Sequence, residues 1–136
     1  MMKIKKAITG TIVSMALVMC MSLSVFAATT ATASFSVELP KKQGDAEVSK
    51  VRKATETVYF TVTINSIGTG TDKVCVWTEG DSTGYNFSDP SKQVGLGPNA
   101  IFYTHVPDVG ENVVLNMDNP VYLDYTVAVT GSWDPH

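Results

Sequence analysis

From Ser34 onward, apolar and polar residues alternate with a period of two, the spacing of a strand that buries one face. Phe35, Val37 and Leu39 share one face, Ser34, Ser36 and Glu38 the other, and Pro40 stops the run. Lys41 to Ala46 reads as a loop around Gly44, and Val48 to Lys53 as a weak strand crowded by Lys50, Arg52 and Lys53. The clearest pattern sets Val58, Phe60, Val62 and Ile64 against Tyr59, Thr61, Thr63 and Asn65, using the β-branched and aromatic types that suit a pleated surface. Gly68-Thr69-Gly70 marks a turn. From Lys73 to Glu79, Val74 and Val76 oppose Cys75 and Trp77; both faces are apolar, which predicts a central strand covered on both sides.

Gly80 to Pro90 is a turn-rich loop carrying Tyr85 and Phe87, and Ser91 to Val94 a short strand. Ala100 to Val106 sets Ala100, Phe102, Thr104 and Val106 against Ile101, Tyr103 and His105 until Pro107. Val113 to Met117 is a strand closed by Asp118-Asn119-Pro120. The last expected strand runs from Val121 to Thr130, with Val121, Leu123, Tyr125, Val127 and Val129 inside. No helix is expected beyond the N-terminal segment. Roughly seven or eight short strands separated by turn signals predict an all-β antiparallel β-sandwich, with a closed barrel as the alternative.

The N-terminus has a different grammar. Lys3, Lys5 and Lys6 precede an uncharged, mostly apolar stretch from Ala7 to Phe26, and Val25-Phe26-Ala27 presents small or β-branched residues at a cleavage site. Residues 1–27 therefore read as a signal peptide cut after Ala27. An uncleaved anchor is the rival, weakened by Gly10, Thr11, Ser14, Ser22 and Ser24. Lipid attachment at Cys20 is disfavoured by the bulky Met19 before it. Residues 28–33 read as a flexible leader and 34–136 as one domain. The expected product is secreted, extracellular or wall-associated, with no membrane insertion once the signal is gone.

Removing that segment changes the composition. The 136-residue chain has 10 basic and 13 acidic residues. Three of the basic residues lie in the signal, so 7 remain against 13 acidic ones, a charge of −6. Nucleic acid is excluded as a partner, because most of this surface would repel phosphate. Cys75 is the one thiol left, so no internal disulfide can form and the core must carry the fold.

Chemistry-bearing residues are sparse. Cys75 and His105 are the only nucleophile–base pair, without any surrounding motif, and a lone Cys in an apolar strand is ordinarily a small core hydrophobe. No catalytic residue, metal site or cofactor is assigned. Glu79, Asp81 and Asp89 around one loop, and Asn116, Asp118 and Asn119 around another, keep calcium open as an alternative to plain turn chemistry. Lys41, Lys42, Lys50, Arg52 and Lys53 gather most of the positive charge, either to meet an anionic envelope polymer or to blunt a sheet edge. Tyr59, Tyr85, Phe87, Tyr103, Tyr122 and Trp133 are candidate contact aromatics, with Tyr85 and Phe87 favoured because they sit in a loop. Trp133 reads either as a ring folded back to close the sandwich or as an exposed recognition tag.

Several segments carry a family likeness. Tyr125-Thr-Val-Ala-Val-Thr-Gly131-Ser-Trp133-Asp134 resembles the closing Tyr-x-Val-x-Gly-x-Trp-Asp segment of an uncharacterised family of small exported proteins of Gram-positive bacteria. Arg52-Lys-Ala-Thr55, Trp77 after a β-rich run, Lys92-Gln-Val-Gly95-Leu-Gly97 with Phe102-Tyr103, and Val114-Leu115-Asn116 with Asp118-Asn119 follow in the same order. Cys75 and Pro135-His136 depart from the pattern. The resemblance implies a bacterial source, export and no known enzyme activity, and it supplies no site residues.

The expectation is a small secreted, non-catalytic binding module acting at or near the bacterial cell envelope on a polymer or an envelope protein. Lys50, Arg52, Lys53, Tyr85, Phe87 and Trp133 are its candidate ligand-binding residues. A bacteriocin-like antagonistic polypeptide and a calcium-binding extracellular domain are the alternatives.

Overall fold

The computed structural model describes residues 31–136; the expected signal peptide and the first half of the leader fall on residues 1–30, outside the described residues. Nine strands follow: β1 (Ala33–Leu39), β2 (Ala46–Glu47), β3 (Val51–Arg52), β4 (Tyr59–Ile67), β5 (Val74–Gly80), β6 (Lys92–Val94), β7 (Gly97–Phe102), β8 (Asn112–Asp118) and β9 (Val127–Asp134). They pair antiparallel into two sheets. One has the order β1-β9-β4-β7; the other has β2-β8-β5-β6, with β3 also on β8. The architecture is the expected all-β sandwich.

Alternation decides which side chains meet between the sheets. Phe60, Val62 and Ile64 of β4 and Val127, Val129 and Trp133 of β9 face Val74 and Val76 of β5 and Val113, Leu115 and Met117 of β8, all buried. At Gly131 on β9 a Cβ would sit on the Thr63 carbonyl oxygen and 2.8 Å from the Phe35 ring, so only glycine fits where β1, β9 and β4 converge. An end of the sandwich is called lower where β5, β7 and β9 finish at Gly80, Phe102 and Asp134, and upper where β1, β4 and β8 finish at Leu39, Ile67 and Asp118.

Five sequence expectations are corrected. The strand expected over Val121–Thr130 begins only at Val127 and runs on to Asp134. Its sheet neighbours set this limit: Leu39 of β1 pairs with Val127 and Ile67 of β4 with Val129, and Pro40 and Gly68 end those strands. Val121, Tyr122 and Tyr125 therefore lie exposed in the upper crossing between sheets, alternating without a ladder. The Ala100–Val106 strand is instead Gly97–Phe102, because beyond it Thr104 and His105 turn their N–H groups to the Phe87 carbonyl. Of the expected Val48–Lys53 strand only Val51–Arg52 forms, as β3 on β8, and a second two-residue strand, β2, precedes it at Ala46–Glu47. On β5, Val74 and Val76 are buried as expected, but no second layer covers Cys75, Trp77 and Glu79, which stay half-buried on the outer face. Val58, expected inside, is exposed just before β4.

Candidate functional site

The residues singled out by charge separate in space. Lys41 and Lys42 lie at the upper end, where the Lys42 N–H donates to the Leu123 carbonyl. Lys50 lies at the lower end and pairs with Asp81 at 2.9 Å, an exposed bridge that raises the lysine pKa through that hydrogen bond. Arg52 is exposed on β3, with its guanidinium against Gly110.

Lys53 leaves the surface altogether. Its exposure is 0%, and its ammonium donates to the carbonyls of Thr57 at 2.6 Å and Pro135 at 3.2 Å while sitting 4.8 Å from the Tyr103 ring centroid. Burial pushes its pKa down, opposed by the charge of Asp134. This lysine is a clasp on the end of the chain, closed to an external ligand. A sequence cannot distinguish it from Lys50, because both follow the same charged, weakly alternating stretch.

Trp133 is likewise interior, 1% exposed, with its indole N–H donating to the Ser49 carbonyl at 3.1 Å. The ring closes the sandwich, and the recognition-tag reading is overturned. The residues after it are clasped too. Thr55 and the Ala54 and Thr55 N–H groups donate to the His136 carbonyl, Tyr103 Oη donates to the Pro135 carbonyl, and the His136 N–H donates to Asp134. The His136 ring stands edge-on to Tyr59, and its Nε2 lies 2.9 Å from Thr61 Oγ1.

Tyr85 and Phe87 are brought together at the lower end, ring centroids 5.4 Å apart, but they play different parts. Phe87 is buried and seals the core there, with its N–H on the Thr78 carbonyl. Tyr85 is 49% exposed and meets the His105 ring edge-on at 5.6 Å. Val106 and Val109 of the following loop are also exposed. This loop is held by the Thr104 and His105 N–H groups on the Phe87 carbonyl and by the Gly110 N–H on the Lys53 carbonyl. The lower end thus presents Tyr85, His105, Val106 and Val109 beside Arg52. Val106 escapes sequence reading because it alternates like a strand residue, and Val109 because it follows Pro107 outside any alternation.

The Cys75–His105 pair is not assembled. Cys75 pairs across the sheet with Asp118 near the upper end, while His105 lies on Tyr85 at the lower end. Burial, with the Asp118 carboxylate beside it, pushes the Cys75 thiol up to about 11, away from nucleophilic use. Among the described residues no three His, Cys, Asp or Glu side chains are grouped to hold an ion, while buried side-chain polar atoms of Asn116, Asp118 and Asn119 have no hydrogen-bond partner. Glu79 accepts the Trp77 indole N–H at 2.9 Å, and Asp81 is taken by Lys50.

A cleft of about 630 Å³ runs along the side of the sandwich where the chain crosses from β6 to β7. Asp89, Pro90 and Lys92 to Val94 form one wall, and Asn99 to Thr104 the other. No family model, no curated protein and no solved structure matches this chain.

Proposed function

We propose that this chain is a small secreted, non-catalytic binding module that acts at or near the bacterial cell envelope and takes an envelope polymer or protein on its lower end. The observation that supports the reading is the gathering of Tyr85, His105, Val106 and Val109 on loops held by a rigid two-sheet scaffold, where binding surfaces commonly lie. A tyrosine offers a broad ring at little entropic cost, and nearby aliphatic groups add area that association removes from water. The export-type N-terminus supports the location.

The contact surface is chiefly apolar. Lys50 is already engaged by Asp81 and Lys53 is interior, so of the three lower-end cations only Arg52 is both exposed and without an ion pair among the described residues. Binding should therefore depend only weakly on salt, since screening acts on exposed charges.

The test is cell association. Labelled chain from Ala28 to His136 is incubated with intact Gram-positive cells and isolated walls across a salt series. Saturable binding with a shallow salt slope, lost in Tyr85→Ala/Val109→Asp but kept in Lys50→Ser, is the expected result. Absence of saturable binding at any salt overturns the reading, and growth inhibition by the same protein would then favour the antagonistic polypeptide.

A further inference from the structure

We propose that β7 is a pairing edge for a second copy of this chain, joining two β1-β9-β4-β7 sheets into one continuous sheet. An exposed strand edge is a template for another strand, and proteins blunt such edges with charge, proline or cover. β1 carries Glu38, β2 Glu47, β3 Arg52 and β6 Lys92. β7, Gly97-Pro-Asn-Ala-Ile-Phe102, is the edge strand without a charged residue among the described residues.

The backbone shows which groups are free. The Tyr103 N–H donates to the Val58 carbonyl, and the register continues from there through Phe60–Ile101 to Ile64–Gly97. Antiparallel pairs alternate, so residues 97, 99, 101 and 103 turn their polar backbone groups toward β4, and 98, 100 and 102 turn theirs outward. Pro98 is tolerated because the N–H it lacks would have pointed away from the sheet. At the other end the Thr104 N–H is consumed by Phe87. Between these stops, Ala100 and Phe102 each offer one N–H and one C=O, and the cleft beside Asn99 to Thr104 leaves that edge open.

This pattern is self-complementary. A twofold axis at Ile101 sets Ala100 opposite Phe102 of the second copy, so each N–H meets a carbonyl and four bonds form. The same register lays each Phe102 ring over the small Ala100 of the other copy, a favourable large-on-small cross-strand pair. Phe102 needs such cover: it is 69% exposed, the most exposed large hydrophobic side chain described, touched edge-on by Tyr59 at 6.1 Å. Pro98 and Thr104 end the pairing on both sides, so the contact closes as a dimer.

Sedimentation velocity over a concentration series tests this on the chain from Ala28 to His136, which contains every described strand and the whole described core. The apparent mass should climb toward twice the monomer value. Ala100→Pro removes only an outward N–H, as Pro98 already does, and should hold the protein monomeric with an unchanged melting temperature. Phe102→Lys, which adds the missing edge charge, should do the same without altering backbone chemistry. Wild-type chain that stays monomeric at its highest soluble concentration overturns the proposal, as does a dimer that survives Phe102→Lys. Because Tyr85 and Val109 are untouched, cell binding and dimerisation succeed or fail separately.

Discussion

Replacing Trp133 by alanine tests whether the end of the chain closes the sandwich. The ring is 1% exposed, and on β9 it lies between Val62 of β4 and Ala33 of β1, so its bulk is matched to a small neighbour. Truncating a buried tryptophan to alanine costs about 3–5 kcal/mol through lost transfer energy and the cavity left behind. The Ser49 carbonyl, which now accepts the indole N–H, loses that partner for roughly 1 kcal/mol more. Against the ~5–15 kcal/mol that holds an ordinary domain, this is a third of the stability or more. At about 4–8 °C per kcal/mol for a domain near this size, the melting temperature should drop by roughly 15 °C or more. Trp133→Phe keeps a ring but loses the N–H and some area, and should cost about 1–3 kcal/mol. Thermal melts by far-UV circular dichroism and urea titrations read both variants, with Trp77 remaining as the fluorescent reporter. A Trp133→Ala melt within about 5 °C of the parent would refute the closing role, because no relaxation of a two-sheet core recovers that much buried area.

Three further outcomes follow from neighbouring groups. Gly131→Ala should destabilise the domain by about 2 kcal/mol or more, since the new methyl meets the Thr63 carbonyl and the Phe35 ring; a neutral urea midpoint would mean that β1 can move aside. Iodoacetamide should alkylate Cys75 several-fold more slowly at pH 9.0 than a free thiol of pKa 9.0, because a pKa near 11 cuts the thiolate fraction roughly fiftyfold while its greater basicity recovers roughly tenfold; mass spectrometry over time checks it. Stability should fall on the alkaline side: burial holds the protons of Cys75 and Tyr103 in the folded chain above their ordinary pKa values of 9.0 and 10.0, so stability fully present below pH 9.0 is lost as pH rises toward the folded values. Lys53, shifted downward, opposes part of that loss, and Tyr103→Phe should flatten the alkaline limb of a urea-midpoint profile.

Where a period of two coincided with a neighbouring strand, the sequence was a reliable guide to the fold. Phe60, Val62 and Ile64, Val74 and Val76, and Phe35, Val37 and Leu39 of β1 lie where alternation puts them. Alternation is a local property, though, and a ladder needs a partner. Val121 to Tyr125 alternate as well as Val127 and Val129 do, but β1 and β4 have already ended opposite them. The site was less legible for a related reason. Charge along the sequence grouped Lys50, Arg52 and Lys53, yet a strand-to-loop transition turns Lys53 onto the Thr57 and Pro135 carbonyls while its neighbours face water. Tyr85 could be chosen because it stood in a loop outside any alternation. Its partner His105 could not, because it came from a loop some twenty residues later that only the folded chain brings near.

Parts of three of the segments singled out in the sequence meet at the lower end, in a structural clasp. Lys53 and Thr55 of the Arg52-Lys-Ala-Thr55 run reach Pro135 and His136, just beyond Gly131-Ser-Trp133-Asp134. Tyr103, from the aromatic end of the third segment, donates to the same Pro135 carbonyl and lies beneath the Lys53 ammonium. A buried ammonium is costly unless its donors are satisfied, so Lys53 requires Thr57, Pro135 and Tyr103 to be in position together. Gly131 in turn requires glycine because Thr63 and Phe35 leave it no room. Residue types fixed by such mutual constraints resist change whatever the protein binds. Together these bonds clasp the lower end shut. On the proposed function, specificity for a partner belongs on residues free of these bonds, which at this end are Tyr85, His105, Val106 and Val109, and exchanging that loop pair while keeping the clasp should change what the domain recognises without changing how it melts.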